Sequence, residues 1–232
     1  MTTEHTSYKR AGRGRPKVFD REVALRKALE LFWRQGYEAT SLADLVEATG
    51  AKAPTLYAEF ENKEGLFRAV VEYYTACNED KYDRLLFNVT LPLAETIHNY
   101  LSVTANCFTS GDTPSGCFII CASMVQTRCS DKVSQVLKSR QPVQEAMLAR
   151  FLQLRQAQGE LPAYSDAQGL ARYLCCVIQG MSVRAREGAD CADLQAVVAG
   201  MACAVRRLPA AGACRRTRFV ILSPLPSFGK TG

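Results

Sequence analysis

The chain has 232 residues, 47% of them apolar and 22% charged, with a formal net charge of +6, 10 cysteines and 2 histidines. So much apolar material can bury a full core, which excludes disorder of the whole, and the length suits one compact domain or a small reading domain attached to a larger one. No run of 18 uncharged apolar residues occurs and the first residues are polar and basic, so neither a membrane span nor an export signal is predicted; the expected location is the cytoplasm, with the cysteines as free thiols.

The charge sits at the two ends. Residues 1–17 carry +4, with Lys9, Arg10, Arg13, Arg15 and Lys17 against Glu4, and residues 206–232 carry +6 with no acid, which leaves −4 on everything between. The stretch Arg13-Gly14-Arg15-Pro16-Lys17 has the composition of a basic arm that lies along a DNA minor groove; the alternative is a solvated, disordered tail. Asp20 to Gln35 reads as a helix with Leu25, Ala28, Leu29 and Phe32 on one stripe, closed by Gly36.

Ser41 to Phe60 is the most informative stretch. Leu42, Leu45, Val46 and Thr49 fall on one helical face, and after Gly50 the spacing repeats in Ala53, Leu56, Tyr57 and Phe60. Two short helices joined by a glycine turn form a helix-turn-helix, with Ser41 and Asp44 as a capping box and Pro54 in the first turn of the second helix. The next helix starts near Asn62, buries Leu66, Phe67, Val70, Val71 and Tyr74, and runs to about Asn78.

Leu93, Ile97, Leu101, Thr104 and Phe108 mark a helix from Leu93 to about Thr109, and Ser110 to Gly116 is a loop by composition. Cys117 to Cys129 is apolar enough for a central helix, and a longer one runs from Ser130 to Leu154, kinked or divided at Pro142. Gln158 to Pro162 breaks the chain; Ser165 to Arg186 and Cys191 to Arg206 are the last two helices. The prediction is an all-α protein of about nine helices, three in a reading domain at 18–77 and about six in a body at 78–206. From Arg207 onward, prolines, glycines and arginines predict a disordered tail, or less readily a second nucleic-acid-binding segment.

Gly36 to Ser41, Thr49-Gly50, Pro54-Thr55-Leu56-Tyr57, Phe60 and Lys63-Glu64-Gly65-Leu66-Phe67 together resemble the tetracycline-repressor (TetR) family of bacterial regulators across residues 18 to about 77. The resemblance implies a three-helix DNA-binding domain, a helical ligand-binding and dimerisation domain whose last two helices pair with a second copy, and repression of a palindromic operator relieved by a small-molecule inducer. It places Thr40, Ser41, Tyr57 and Lys63 against phosphate, although Thr40 and Ser41 also read as caps and Tyr57 as half core. Lys52, Ala53, Pro54 and Thr55 stand at the start of the reading helix, with Lys52 the leading residue for a guanine contact.

Cys117 opens a helix after Ser115-Gly116, where the dipole favours a thiolate, and Cys121 follows one turn later. The spacing from Cys107 to Cys117 resembles the electrophile-sensing members of the family that respond to N-ethylmaleimide. Against this, cysteine usually packs as a small hydrophobe, the reading given to Cys175, Cys176 and Cys203. Tyr100, Phe108, Phe118, Met124 and Tyr173 are candidates to line an ordinary apolar pocket. No metal site or cofactor is expected: Cys117 and Cys121 lack a second paired motif, and the histidines are only His5 and His98. Two other classes remain open, a thiol oxidoreductase, for which no Cys-x-x-Cys is present, and an architectural protein that binds DNA with little sequence preference.

Overall fold

Ten α-helices and no strand make up the described residues, 19–87, 90–124 and 131–206, of this computed structural model. The arm with Arg13, Arg15 and Lys17, and the segment 207–232, lie outside them.

Helix α1 (Arg21–Gln35) begins where the Asp20 carboxylate accepts the Val23 N–H, and it buries Ala24, Leu25, Ala28 and Phe32 on one side. Helix α2 (Leu42–Thr49) has the predicted capping box. The Ser41 hydroxyl accepts the Asp44 N–H at 3.1 Å, and the Asp44 carboxylate accepts the Ser41 N–H at 2.7 Å. Helix α3 (Ala53–Phe60) starts at Lys52 with Pro54 in its first turn. Helix α4 (Lys63–Leu86) follows at once and requires Gly65, because a Cβ there would meet the Phe60 carbonyl oxygen at 2.0 Å.

α4 continues past the predicted end near Asn78. Residues 79–86 hold neither glycine nor proline, and the extra turns press Tyr82, Leu85 and Leu86 onto the core of the body. Then come α5 (Leu93–Thr109), α6 (Phe118–Met124), α7 (Asp131–Lys138), α8 (Gln141–Ala157), α9 (Ala167–Arg186) and α10 (Cys191–Arg206). The tenth helix arises because the stretch around Pro142 is divided: Pro142 sits in the first turn of α8, where its missing N–H is not needed.

The core has two parts. One is built from α1–α4 and takes in Phe118 of α6 with Val133 and Leu137 of α7. The other joins the end of α4 to α5, α8, α9 and α10, with α5 lying along α10 and α8 along α9. Within it the buried Arg155 donates to Glu160 at 2.6 Å and to Thr96 at 3.2 Å. The other Glu160 oxygen accepts the Leu93 N–H at 2.5 Å, closing the start of α5, whose N-cap Pro92 offers no side-chain acceptor.

Candidate nucleic-acid interface and effector cavity

The helix-turn-helix is held from behind. Leu45 of α2 and Leu56 and Phe60 of α3 share the first core with Leu66 and Phe67 of α4, and Arg21 of α1 reaches Glu59 of α3 at 2.7 Å. What α3 presents outward begins with Lys52 and Pro54, both exposed, with Ala53 and Thr55 partly exposed beside them. Tyr57, one turn further on, is 46% exposed. The Thr55 and Leu56 N–H groups both go to the Lys52 carbonyl, at 2.9 and 3.1 Å, and Pro54 has none. The first turn therefore offers an anion little beyond the Ala53 N–H, so recognition falls to side chains.

Ser41 is exposed, its oxygen accepting the Asp44 N–H at the mouth of the capping box. Thr40 corrects the phosphate-contact expectation: it is fully buried and its hydroxyl donates to the Gly36 carbonyl at 2.7 Å, so it closes the end of α1 instead. Lys63 begins α4 on the Ser41 side, with its ammonium 4.4 Å from the Tyr37 ring centre and 3.4 Å from the Glu38 carbonyl. Hydrogen bonds from the Ser41 hydroxyl and N–H hold the Asp44 carboxyl below its ordinary value, and the Lys63 charge adds to this.

A cavity of about 600 Å³ opens between α4, α5, α6, α8 and α9. Phe108, Ile119, Ile120, Met147 and Ile178 form its apolar wall, Tyr74 and Tyr82 close it from α4, and Lys138 and Arg140 stand at its rim. Of the five pocket candidates, Phe108 lines it. Tyr100 lies beneath, buried, its hydroxyl accepting from the lining residue Gln144 at 3.3 Å. The other three are corrections: Phe118 is buried in the first core, and Met124 and Tyr173 are 62% and 52% exposed away from the cavity. Tyr74, Tyr82, Ile120 and Ile178 were not foreseen, because helical spacing shows that a face is apolar and not which space it encloses.

Cys117 lies just before α6, its N–H donating to the Ser182 hydroxyl at 2.8 Å and its sulfur accepting from the Tyr74 hydroxyl at 3.4 Å. Burial pushes its thiol up, and the Tyr74 hydroxyl and the N–H groups of Ile120 and Ile119 pull the other way without winning. The expected dipole activation of Cys117 is thus outweighed by desolvation. Burial also raises the Cys121 thiol, against the Ser182 hydroxyl and the Arg186 charge. Cys107 is half-buried, with the Lys81 ammonium 2.7 Å from its sulfur. Cys175 is buried, its thiol pushed up to about 11 by burial and then by Glu145, while Cys176 is exposed, which corrects its assignment to packing. The Cys203 side chain lies outside the described residues, among which no cluster of three or more metal-ligating side chains occurs.

A capped helix-turn-helix with an exposed second helix, set on a helical body, defines a DNA-binding regulator. The family profile "Bacterial regulatory proteins, tetR family" matches residues 24–70. The chain is 52% identical over 197 residues, 85% of its length and 94% of the relative's, to the HTH-type transcriptional repressor ComR of Escherichia coli K12. It is also 33% identical, with a TM-score of 0.77 over 84% of its length and all of the other chain, to a cysteine mutant of the TetR family regulator CifR complexed with 26 bp operator DNA. The reduced form of NemR from E. coli shares the fold at 21% identity and a TM-score of 0.72, over 84% of this chain and 98% of that one. The chain belongs to the TetR family and is a DNA-binding transcriptional repressor of that family. Among the described residues no helix is long and apolar enough to cross a membrane.

Proposed function

We propose that the protein is a homodimeric cytoplasmic repressor that binds a palindromic operator through a reading domain at 18–77 and releases it when a small molecule fills the cavity of the body at 78–206. The observation that carries this reading is the position of α6. Phe118 is buried in the core of the helix-turn-helix, while the neighbouring Cys117, Ile119 and Ile120 form cavity wall. A ligand that displaces this short helix acts on both cores at once. α9 adds a second link: Ser182 holds the Cys117 N–H at 2.8 Å, and one turn later Arg186 donates to the Trp33 and Arg34 carbonyls at the end of α1, at 3.0 and 3.1 Å.

Dimer formation through the last two helices is supported by exposed apolar side chains there, Tyr173 on α9 and Val197 on α10. Two reading helices one helical turn of DNA apart then enter successive major grooves, contacting it through Lys52, Ala53, Pro54, Thr55 and Tyr57, with Ser41 and Lys63 on phosphate and Arg13, Arg15 and Lys17 in the flanking minor groove. Release is a population shift, so the ligand must prefer the spread packing over the reading one. Footprinting on the promoter of the protein's own gene should show a protected palindrome; a uniform, salt-sensitive coating of any DNA would leave an architectural protein instead.

A thiol-sensing repressor is the second reading, favoured by the half-buried Cys107 with Lys81 at 2.7 Å. It predicts that N-ethylmaleimide releases operator from the native protein and not from Cys107→Ser.

A further inference from the structure

The cavity is lined in two registers. Most hydroxyls of its deep wall are already engaged: Thr104 donates to the Tyr100 carbonyl at 2.7 Å, Thr75 to the Val71 carbonyl at 2.8 Å and Tyr74 to the Cys117 sulfur at 3.4 Å, with Tyr82 beside them on α4. Phe108, Ile120 and Ile178 offer a polar group nothing in return for its desolvation, so the part of the ligand against them is apolar.

The rim is different. Lys138, in the last turn of α7, and Arg140, in the turn before α8, both line the mouth, and neither meets a carboxylate among the described residues. The rim carboxylate of Glu145 is already engaged, by Arg172 at 3.0 Å and by the Gln168 amide. Glu79 faces the mouth from α4, one carboxylate across from two cations. The balance is positive, and it is concentrated on the α7–α8 side.

We infer that the cavity takes an amphiphilic organic anion, an apolar body bearing one carboxylate or sulfonate whose head is held by Lys138 and Arg140 while the body lies against Phe108, Ile120 and Ile178. This assignment rests on the cavity being the effector site. A cationic ligand of the same shape would meet two like charges at the entrance, and an uncharged one would leave them unused.

Two fluorescent probes that share an anilinonaphthalene frame test it on the full chain: 1-anilinonaphthalene-8-sulfonate, which is anionic, and N-phenyl-1-naphthylamine, which is neutral. In low salt the anionic probe should bind more tightly by about tenfold or more, the scale of one good polar contact. The double variant Lys138→Gln/Arg140→Gln, changed only at the rim, should lose that preference and keep the neutral probe's affinity. Ala146→Trp, at an exposed position on the mouth, should weaken both probes. Equal affinities in the native protein, or a preference that survives in the double variant, would overturn the anion assignment and leave the cavity standing. Unchanged binding of both probes to Ala146→Trp would overturn the cavity itself as the binding site.

Discussion

Glu160→Ala tests whether the body is held as its buried ion pair implies. The Arg155 side chain is only 4% exposed, against 29% for Glu160, and the pair closes at 2.6 Å. Truncating Glu160 takes the carboxylate away from a buried guanidinium, whose bond to Thr96 at 3.2 Å remains, and it opens the Leu93 N–H at the head of α5. Stranding a buried charge costs about 3–5 kcal/mol, and the low end applies because water can enter where Glu160 stood. Loss of a helix cap adds about 1 kcal/mol. A total of roughly 4 kcal/mol lowers the melting temperature of a chain this size by about 8–16 °C. Differential scanning calorimetry and urea titration on the same samples measure it. Glu160→Gln, which keeps one acceptor oxygen for the two donors, should lose less than Glu160→Ala, and Arg155→Met placed on Glu160→Ala should recover part of the loss by removing a buried charge that has lost its carboxylate. A melting temperature within 2 °C of the parent for Glu160→Ala would refute the reasoning, since it would mean the guanidinium finds water as readily as it found Glu160.

Three further outcomes follow from the geometry. Lys52→Ala should weaken operator binding and lower the salt slope of its logarithm by about one if Lys52 meets a phosphate, or relax preference at one base pair if it meets guanine; gel shifts over a salt series and a mutated-operator panel separate the two, and an unchanged affinity excludes both. Because burial raises the Cys117 thiol, the thiolate is the scarcer form below its folded value, so N-ethylmaleimide labelling of Cys117 in the native protein should lag behind that of the exposed Cys77 at neutral pH and speed up as the pH is raised; peptide mass spectrometry that found Cys117 labelled first would contradict the burial argument. Gly116→Ala places a Cβ 2.7 Å from the Ser182 carbonyl oxygen at a φ of +83°, and should lower the melting temperature by several degrees, about 1–3 kcal/mol, with an unshifted melt showing that the loop can move off α9 at no cost.

The parts of the fold that were legible in the sequence are those decided within a few residues of chain. Ser41 and Asp44 form their capping box from local spacing alone, Pro54 starts α3, and Asn62 accepts the Gly65 N–H at the start of α4. Contacts set by neighbours distant in sequence were not legible. Thr40 reads as a polar residue at a helix start and turns inward, because the Gly36 carbonyl needs a donor there. Phe118, Ile119 and Ile120 are consecutive and all apolar, so no periodicity reveals that the first serves the reading domain, the last the cavity and Ile119 both. Cys175 and Cys176 are neighbours on α9 and differ in burial for the plain reason that adjacent helical residues point about 100° apart. The Arg155–Glu160 pair was invisible because its third member, Thr96, lies 59 residues away.

The size of the cavity limits how a ligand can work it. Moving a two-state equilibrium from 1:99 to 99:1 takes a differential affinity of about 5.5 kcal/mol, which at about 25 cal/mol per Å² equals roughly 220 Å² of apolar contact present in one packing and absent in the other. A body filling about 600 Å³ has about 550 Å² of accessible surface, if roughly spherical, so near-complete release by apolar contact alone needs about two-fifths of that contact to be lost in the reading packing. A shift of α6 alone removes Ile119, Ile120 and Cys117 from the wall and leaves Phe108 on α5, Met147 on α8 and Ile178 on α9 in place. That is a fraction of the contact and therefore a fraction of the release. Under the proposed assignment the remainder comes from a group whose interaction is strong for its area: each tenfold gained when the end of α7 and the turn after it bring Lys138 and Arg140 onto an anionic head is worth about 1.4 kcal/mol. Since Val133 and Leu137 of the same helix are buried in the core of the helix-turn-helix, a pull on α7 from the rim is delivered directly to the reading domain.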